Sequence, residues 1–433
     1  MKILTWEKLS AAARAASLRR PAQHSQPKVA AAVAHIVAAV RRDGDAALRR
    51  LTAQYDGVRL RSLRVTGAEF AAAEKALGVR DRAALRTAVR NLRRFHAAQR
   101  QSPLRVVTQP GIVCEKVTRP IARVGLYVPG GSAPLPSTAL MLGVPSQLAA
   151  CAVRVLCTPP GRDGRINPWI LCAARLCGIT DVFKIGGAQA IAAMAYGTAS
   201  VPKVDKIFGP GNAFVTEAKL QVSRDSAGAA CDLPAGPSEV MVIADNEAHP
   251  DFVAIDLLSQ AEHGPDSQVV LVAFSAHLVD RVLAALKPLL ADLPRVPIAR
   301  RALAQSRVLL AASPAEAATI ANRYAPEHLI LHLAQPRALL AEISTAGSVF
   351  LGPWTPESLG DYASGTNHVL PTYGWARVCS GLGLADFQRT MTVQTASPAG
   401  LKKLGPVVER LALAESLTAH QRAVRLRLDA LQK

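Results

Sequence analysis

Gln260 and His263 stand three residues apart in "LSQAEHGPDSQ", with Glu262 between them and Gly264-Pro265 just beyond. Residues i and i+3 share a helix face, and Gly-Pro is a stop signal. An amide, a carboxylate and an imidazole therefore crowd into one last turn. Such a turn is either solvated or half of a metal site, and the negative end of the helix dipole favours a cation there. Gln260 continues both the apolar stripe from Val253 to Leu257 and the polar stripe from Asp256 to His263, so its position leaves core edge and solvent equally open.

Glu327 and His328, in "APEHLIL", lead directly into an apolar run. An imidazole of near-neutral pKa suits taking a hydroxyl proton during hydride transfer. A carboxylate suits activating the water needed to oxidise an aldehyde further. Asp361 and His368 share "GDYASGTNH"; Asp is an ordinary zinc ligand and equally an ordinary turn residue. His420 follows Glu415 by five residues in "ESLTAHQRAV", which is about 500° of helix rotation, so the two do not share a face. His24, His35, His96, His249 and His277 lie in ordinary helical or loop contexts, and His332 faces out of its strand or sits at its end. There is no HExxH and no Cys-rich ligand set.

A dinucleotide fingerprint is present only in fragments. "GPGNAF", Gly209 to Phe214, follows the strand "VDKIF" and opens a helix, a context in which glycines bring backbone amides to a pyrophosphate. Phe214 stands where a third glycine would, and no acidic residue sits cleanly about 20 residues on. A plain tight turn accounts for it equally well. "YVPGGSAPLPSTA", from Tyr127, is a second Gly/Pro loop after a strand.

The elements that must position these groups are of two kinds. From Pro27 to about Gln101 the apolar spacing is helical, as in "VAAAVAHIVAAVRRDGDAALRRLTAQY". After Pro110, β-branched runs alternate with helical stretches: "RVGLYVPG", "VRVLCTPP", "DVFKIGG" and "VDKIFGPG", then "GPSEVMVIAD", "SQVVLVAFS", "SRVLLAAS", "HLILHL" and "GSVFLGP". That alternation predicts parallel sheet covered by helices. We divide the chain into a helical region (1–105), two α/β units (106–235 and 236–380, meeting near Ala235-Gly236-Pro237) and a C-terminal element (381–433). Trp354 to Arg389 is irregular and rich in Gly, Thr, Ser and Asn, which points to function.

Composition narrows the partners. The net charge is +19, but residues 1–105 hold 22 Lys+Arg against 7 Asp+Glu while residues 106–399 hold 22 of each. Aromatic residues are 4% of the chain, too sparse for base-stacking platforms, so the excess reads as a solvated Arg-biased surface and neither nucleic acid nor membrane is expected as a partner. Seven cysteines without a CxxC read as buried free thiols in a reducing compartment. The N-terminus lacks an apolar h-region, and no apolar run approaches about 18 residues, so a soluble, cytoplasmic protein is expected.

Read in order, "GLYVPGGSAPLPSTALM", "KIGGAQAIAAMAYGT", "FGPGNAFVTEAK", "AGPSEVMVIAD", "DLLSQAEHGPDSQ", "APEHL", "SGTNHVLPT" and "SGLGLADFQR" resemble the histidinol dehydrogenase family, from about Pro120 to His420. The resemblance implies two incomplete Rossmann-like parallel-sheet units plus smaller domains, in a homodimer. It implies NAD-linked oxidation of L-histidinol through a retained aldehyde to L-histidine, with two NAD consumed. By motif, Gln260, His263, Asp361 and His420 become zinc ligands, one ion per subunit, and Glu327 and His328 proton acceptors. Substrate contacts become Ser238, His328, Asp361, Glu415 and His420 with the metal-site residues, and Tyr127, Gln189 and Asn212 touch NAD. The C-terminal element crosses to the partner in this family, so His420 would complete the other subunit's site.

Two positions depart from the pattern: Ser416 replaces a usual Gly, and Cys379 stands where an aromatic is common. A relative that keeps zinc and NAD but oxidises another polar alcohol, such as a sulfonated diol, is the alternative. A basic binding module built on the Arg-rich first 105 residues is the non-enzymatic one.

Overall fold

A computed structural model describes residues 1–20, 27–130, 134–233 and 236–432. His24, the Gly131–Ala133 part of the glycine loop and Ala235 of the expected boundary lie outside the described residues. The chain forms two compact units, Met1–Ala98 with Ala122–Phe387 and Gln99–Ile121 with Gln388–Lys433.

The first unit holds two parallel sheets. In the five-stranded sheet the order is Asp181–Lys184, Val153–Thr158, Arg123–Tyr127, Lys206–Phe208, Ala230–Cys231. The chain starts at the central strand, builds outward on one side and then crosses to the other, leaving a topological switch point between Arg123–Tyr127 and Lys206–Phe208. Open α/β sheets bind ligands outside the carboxyl ends of strands at such a point.

The six-stranded sheet repeats the scheme: Arg307–Leu310, Gln268–Ala273, Glu239–Ala244, His328–His332 and Ser348–Leu351, with Lys2–Thr5 added in parallel beside Arg307–Leu310. Its inner strands are buried on both faces, which is why they read as continuous Val/Ile/Leu runs. Helices Pro27–Asp43, Asp45–Tyr55, Gly67–Ala76 and Val79–Ala97 make the N-terminal region helical as expected. Val33, Ile36, Val37 and Val40 of the first of these pack into the core of the five-stranded sheet.

The second unit is one antiparallel sheet, ordered Gln388–Ala396, Ile112–Pro120, Leu104–Gln109, and two helices, Pro398–Ala414 and Thr418–Ala430. Glu409 is buried between those helices, accepting from Gln421 at 2.8 Å and Arg425 at 2.9 Å. Ser416 lies in the turn joining them at φ 60°, a left-handed backbone that favours glycine, so this departure from the family pattern has a physical consequence. All seven cysteines are free thiols, four of them buried. Among the described residues no helix is long and apolar enough to cross a membrane.

Candidate active site

The helix Pro250–Ala261 starts with Pro at its first position and Asp251 in its first turn, and ends one turn after Asp256. Glu262 is its C-cap and His263 lies one residue beyond, with its N–H donated to the Gln260 carbonyl at 3.2 Å. Gln260, ambiguous in sequence, is fully buried. Its amide lies between the Glu357 carboxylate and the Glu239 backbone, and hydrogen bonding decides its turn. Nitrogen donates to both Glu357 oxygens, at 3.1 Å to Oε2, and oxygen accepts from the Glu239 N–H at 3.1 Å.

The second group comes from the amino end of the six-stranded sheet. Helix Pro314–Tyr324 ends at Ala325, whose φ of 52° swings Pro326 and Glu327 into the strand His328–His332. Glu327 is buried, accepts the Glu239 N–H at 2.8 Å, and is pushed up to about 8 by burial. His328 is buried with Nδ1 3.1 Å from the Glu239 carbonyl oxygen. A carbonyl only accepts, so Nδ1 carries the proton and Nε2 the lone pair of the neutral ring. Nε2 lies 3.4 Å from Asp361 Oδ1, outside hydrogen-bond geometry and without another partner. Burial opposes a charge on His328, but the Glu357, Glu327 and Asp361 carboxylates outweigh it and raise the pKa well above the ordinary imidazole value.

The short helix Glu357–Tyr362 supplies two carboxylates one turn apart. Glu357 is pushed up to about 8 by burial. Burial also acts on Asp361, yet His328, His368 and His263 hold it below the ordinary carboxylate range. Burial lowers His263, partly offset by Asp361, although the residue as a whole is exposed. His368 fastens the segment: Nδ1 meets the Asp361 carbonyl at 2.9 Å and Nε2 meets Thr138 Oγ1 at 3.2 Å. Asn367 donates to the Met141 carbonyl at 2.8 Å, so the irregular stretch is pinned to helix Pro136–Leu148, which follows the central strand of the other sheet.

Gln260, His263, Glu327, His328 and Asp361 thus lie close together, linked through Glu357 and the Glu239 backbone. His263, Glu357 and Asp361 each bring a ligand atom within 4.8 Å of the other two. Nitrogen and oxygen donors in this arrangement, with buried carboxylates too weakly solvated to stay ionised alone, fit a divalent cation. Glu357 escaped the sequence reading. Its spacing of i, i+4 to Asp361 in "PESLGDY" was the available signal, though the sequence does not reveal its burial.

Ser238 immediately precedes the strand Glu239–Ala244 and is half-buried, next to the residue whose backbone binds Glu327 and His328. Glu415 and His420 belong to the second unit, exposed on the turn and on helix Thr418–Ala430. His332 does sit at the end of its strand, but it faces the interior: its Nε2 meets Asp256 Oδ2 at 2.8 Å with both side chains buried.

The residues expected to touch NAD gather at the carboxyl edge of the five-stranded sheet. Tyr127 ends the central strand, and its hydroxyl accepts the Gly187 N–H at 3.0 Å. Gln189 lies in the first turn of helix Gly187–Tyr196, and Asn212 caps helix Ala213–Arg224 with Oδ1, accepting from Phe214 and Val215 at 3.1 Å. The cap uses only the oxygen of Asn212, leaving its amide nitrogen for a ligand. A Cβ at Gly209, where φ is 123°, would strike the Tyr127 carbonyl, so the two loops flanking the switch point touch through glycine. This edge combines a topological switch point with a glycine-containing helix start, features with which open α/β sheets can accommodate a dinucleotide.

Residues 18–428 match the family model described as histidinol dehydrogenase. A histidinol dehydrogenase from Xanthomonas euvesicatoria pv. vesicatoria (strain 85-10) is 59% identical over 428 residues, 99% of each chain. One from Vibrio vulnificus (strain YJ016) is 56% identical over 431 residues, 100% of this chain and 99% of the other. The crystal structure of histidinol dehydrogenase from Elizabethkingia anophelis superimposes with a TM-score of 0.96 at 44% identity, covering 100% of this chain and 99% of that one.

Proposed function

The chain belongs to the histidinol dehydrogenase family and is an oxidoreductase, and from that premise we propose that it carries out the zinc-dependent, NAD-linked oxidation of L-histidinol through L-histidinal to L-histidine, the last step of histidine biosynthesis. The observation that carries this reading is the convergence of a buried base, His328, a buried carboxylate, Glu327, and a nitrogen–oxygen donor cluster at one end of a parallel sheet. Gln260, His263 and Asp361, with the partner subunit's His420, would hold the zinc; Tyr127, Gln189 and Asn212 would contact NAD. Bound zinc would anchor the imidazole and amine nitrogens of the substrate, and bound NAD would accept each hydride.

The chain's own groups then divide the proton work. With the charge of the surrounding carboxylates offset by a bound cation the His328 ring would be neutral, and Nδ1–H on the Glu239 carbonyl would then leave Nε2 to take the alcohol proton as the carbinol carbon loses its first hydride. The aldehyde adds water to give a hydrate, and Glu327, a stronger base for being buried, takes the proton that this water gives up. Loss of the second hydride from the hydrate anion so formed gives the carboxylic acid, which releases a further proton to become the carboxylate product. Holding the substrate against one ion through both oxidations keeps the reacting carbon in register and the aldehyde on the enzyme. Ser238, Glu415 and His420 would complete the substrate contacts. We read the enzyme as a cytoplasmic homodimer, divided near residues 105, 235 and 380, in which each C-terminal element serves the other subunit.

The division of labour is testable by starting the reaction from either L-histidinol or L-histidinal. Glu327→Gln should slow aldehyde oxidation by about 10²–10⁴-fold and spare the first hydride transfer. Aldehyde oxidation at the wild-type rate contradicts the assignment. The shared site is tested by mixing a His420→Ala subunit with a His328→Ala subunit. Recovered activity in the heterodimer supports it; confirmed heterodimers without recovery oppose it.

A further inference from the structure

We propose that Glu357 is a positioning residue for the metal site: its carboxylate takes the amide N–H of Gln260 and so fixes the carbonyl oxygen as the end that faces the cation. The inference rests on the zinc reading above and adds a residue that neither the motifs nor the comparisons assign.

The two ends of a glutamine amide are nearly the same size, so packing alone does not choose between them. Only oxygen can bind a cation; an N–H₂ turned towards it repels. In this site the choice is made by Glu357 on one side and Glu239 on the other. Glu357 is 1% exposed and Gln260 fully buried, so water does not compete for either. The amide nitrogen donates to the carboxylate, with 3.1 Å to Oε2, and the amide oxygen, 3.1 Å from the Glu239 nitrogen, shares that N–H with Glu327, 2.8 Å away. With the ends exchanged, an oxygen would face two carboxylate oxygens and a nitrogen would face an N–H donor. A carbonyl oxygen has two lone pairs. One is occupied by the Glu239 N–H, which leaves one for an ion.

Glu357 is itself held. It starts the helix whose next turn presents Asp361, so one short segment supplies a proposed ligand and the carboxylate that orients another. Hydrogen-bonding partners of this kind fix ligand orientation, and their removal weakens metal affinity by about 10–100-fold.

The test compares zinc affinity, by competition with a chelator, in the full-length wild type, Glu357→Gln and Glu357→Ala, with cobalt(II) absorption as a second readout. Glutamine at 357 still offers an oxygen to the Gln260 N–H, so E357Q should stay within about fivefold of wild type, the difference between a charged and a neutral hydrogen bond. Its cobalt spectrum should be unchanged. E357A should lose about 10–100-fold in affinity. The exchanged pair, Gln260→Glu with Glu357→Gln, should bind zinc better than Gln260→Glu alone, because it restores one donor facing one carboxylate. Wild-type affinity in E357A overturns the proposal. So does E357Q falling as far as E357A with a shifted cobalt spectrum, which would make Glu357 a direct ligand. A wild-type protein without zinc affinity overturns the zinc reading as well, and is distinguished from the other two results by that control.

Discussion

Replacing Arg20 with methionine should destabilise the protein and disturb the catalytic pair together. Arg20 and Glu239 form a forked ion pair with side chains 12% and 2% exposed, and Nη2 lies 2.8 Å from Oε2. Removing one partner of a buried pair costs about 3–5 kcal/mol because the other charge is left uncompensated. Glu239 would keep its bond from the Tyr373 N–H at 2.9 Å, and a bond to a charged group offsets about 1.5 kcal/mol. About 3 kcal/mol is therefore expected for Arg20→Met. Glu239→Gln should cost less, about 2 kcal/mol, because Arg20 retains the carbonyls of Tyr324 and Ala325 and the Tyr324 ring, 4.0 Å away. In the double variant neither charge is stranded, and the loss should fall about 2 kcal/mol short of the sum. Urea unfolding of the four proteins measures this cycle. The backbone of Glu239 holds both Glu327 and His328, so turnover should fall in Arg20→Met while the protein is still folded. Additive losses, or an Arg20→Met protein within 1 kcal/mol of wild type, would refute the reasoning.

Three further outcomes are expected. Asp56 is pushed from an ordinary 3.8 to about 6 by burial, with Oδ2 unpartnered; its proton favours the fold at low pH, and that contribution is lost as pH rises through about 6. Asp56→Asn should therefore flatten the stability profile between pH about 4 and 6 and raise stability above it; profiles parallel to wild type by urea unfolding would contradict this. Asp256→Ala strands buried His332 and should cost about 3 kcal/mol, whereas Asp256→Asn keeps a hydrogen bond and should cost about 1; equal losses in the same assay would show that the pair contributes nothing specific. Ser416→Gly relieves a left-handed residue and should stabilise the second unit by about 1 kcal/mol, read as a later unfolding midpoint; an earlier midpoint would mean the strain is absent.

The parts that could be read from sequence are those whose residues carry a local signature. Strands such as Gln268–Ala273 and His328–His332 are buried on both faces and bounded by loops, so apolar continuity reveals them. The antiparallel sheet lacked that signature: Gln388–Ala396 is exposed along almost its whole length, and "QRTMTVQTA" puts only Met391 and Val393 together on one face among polar residues. Lys2–Thr5 is too short to announce itself and is a strand only because Arg307–Leu310 offers a free edge. At the site, residue type and spacing marked Gln260, His263, Glu327, His328 and Asp361 only as candidates, and the family resemblance gave them their expected roles. What escaped was long-range pairing: Glu357 against Gln260, His332 against Asp256, and Arg20 against Glu239 across 219 residues. A carboxylate on a short loop helix looks solvated until tertiary packing buries it.

The central claim is that one site performs two successive oxidations on a substrate it does not release. It is tested most directly by counting NADH formed per L-histidinol consumed, with zinc-loaded enzyme and limiting substrate. Two equivalents, with L-histidine as product and the yield lost after chelation, is the result expected here. One equivalent with free aldehyde, or none, would contradict it.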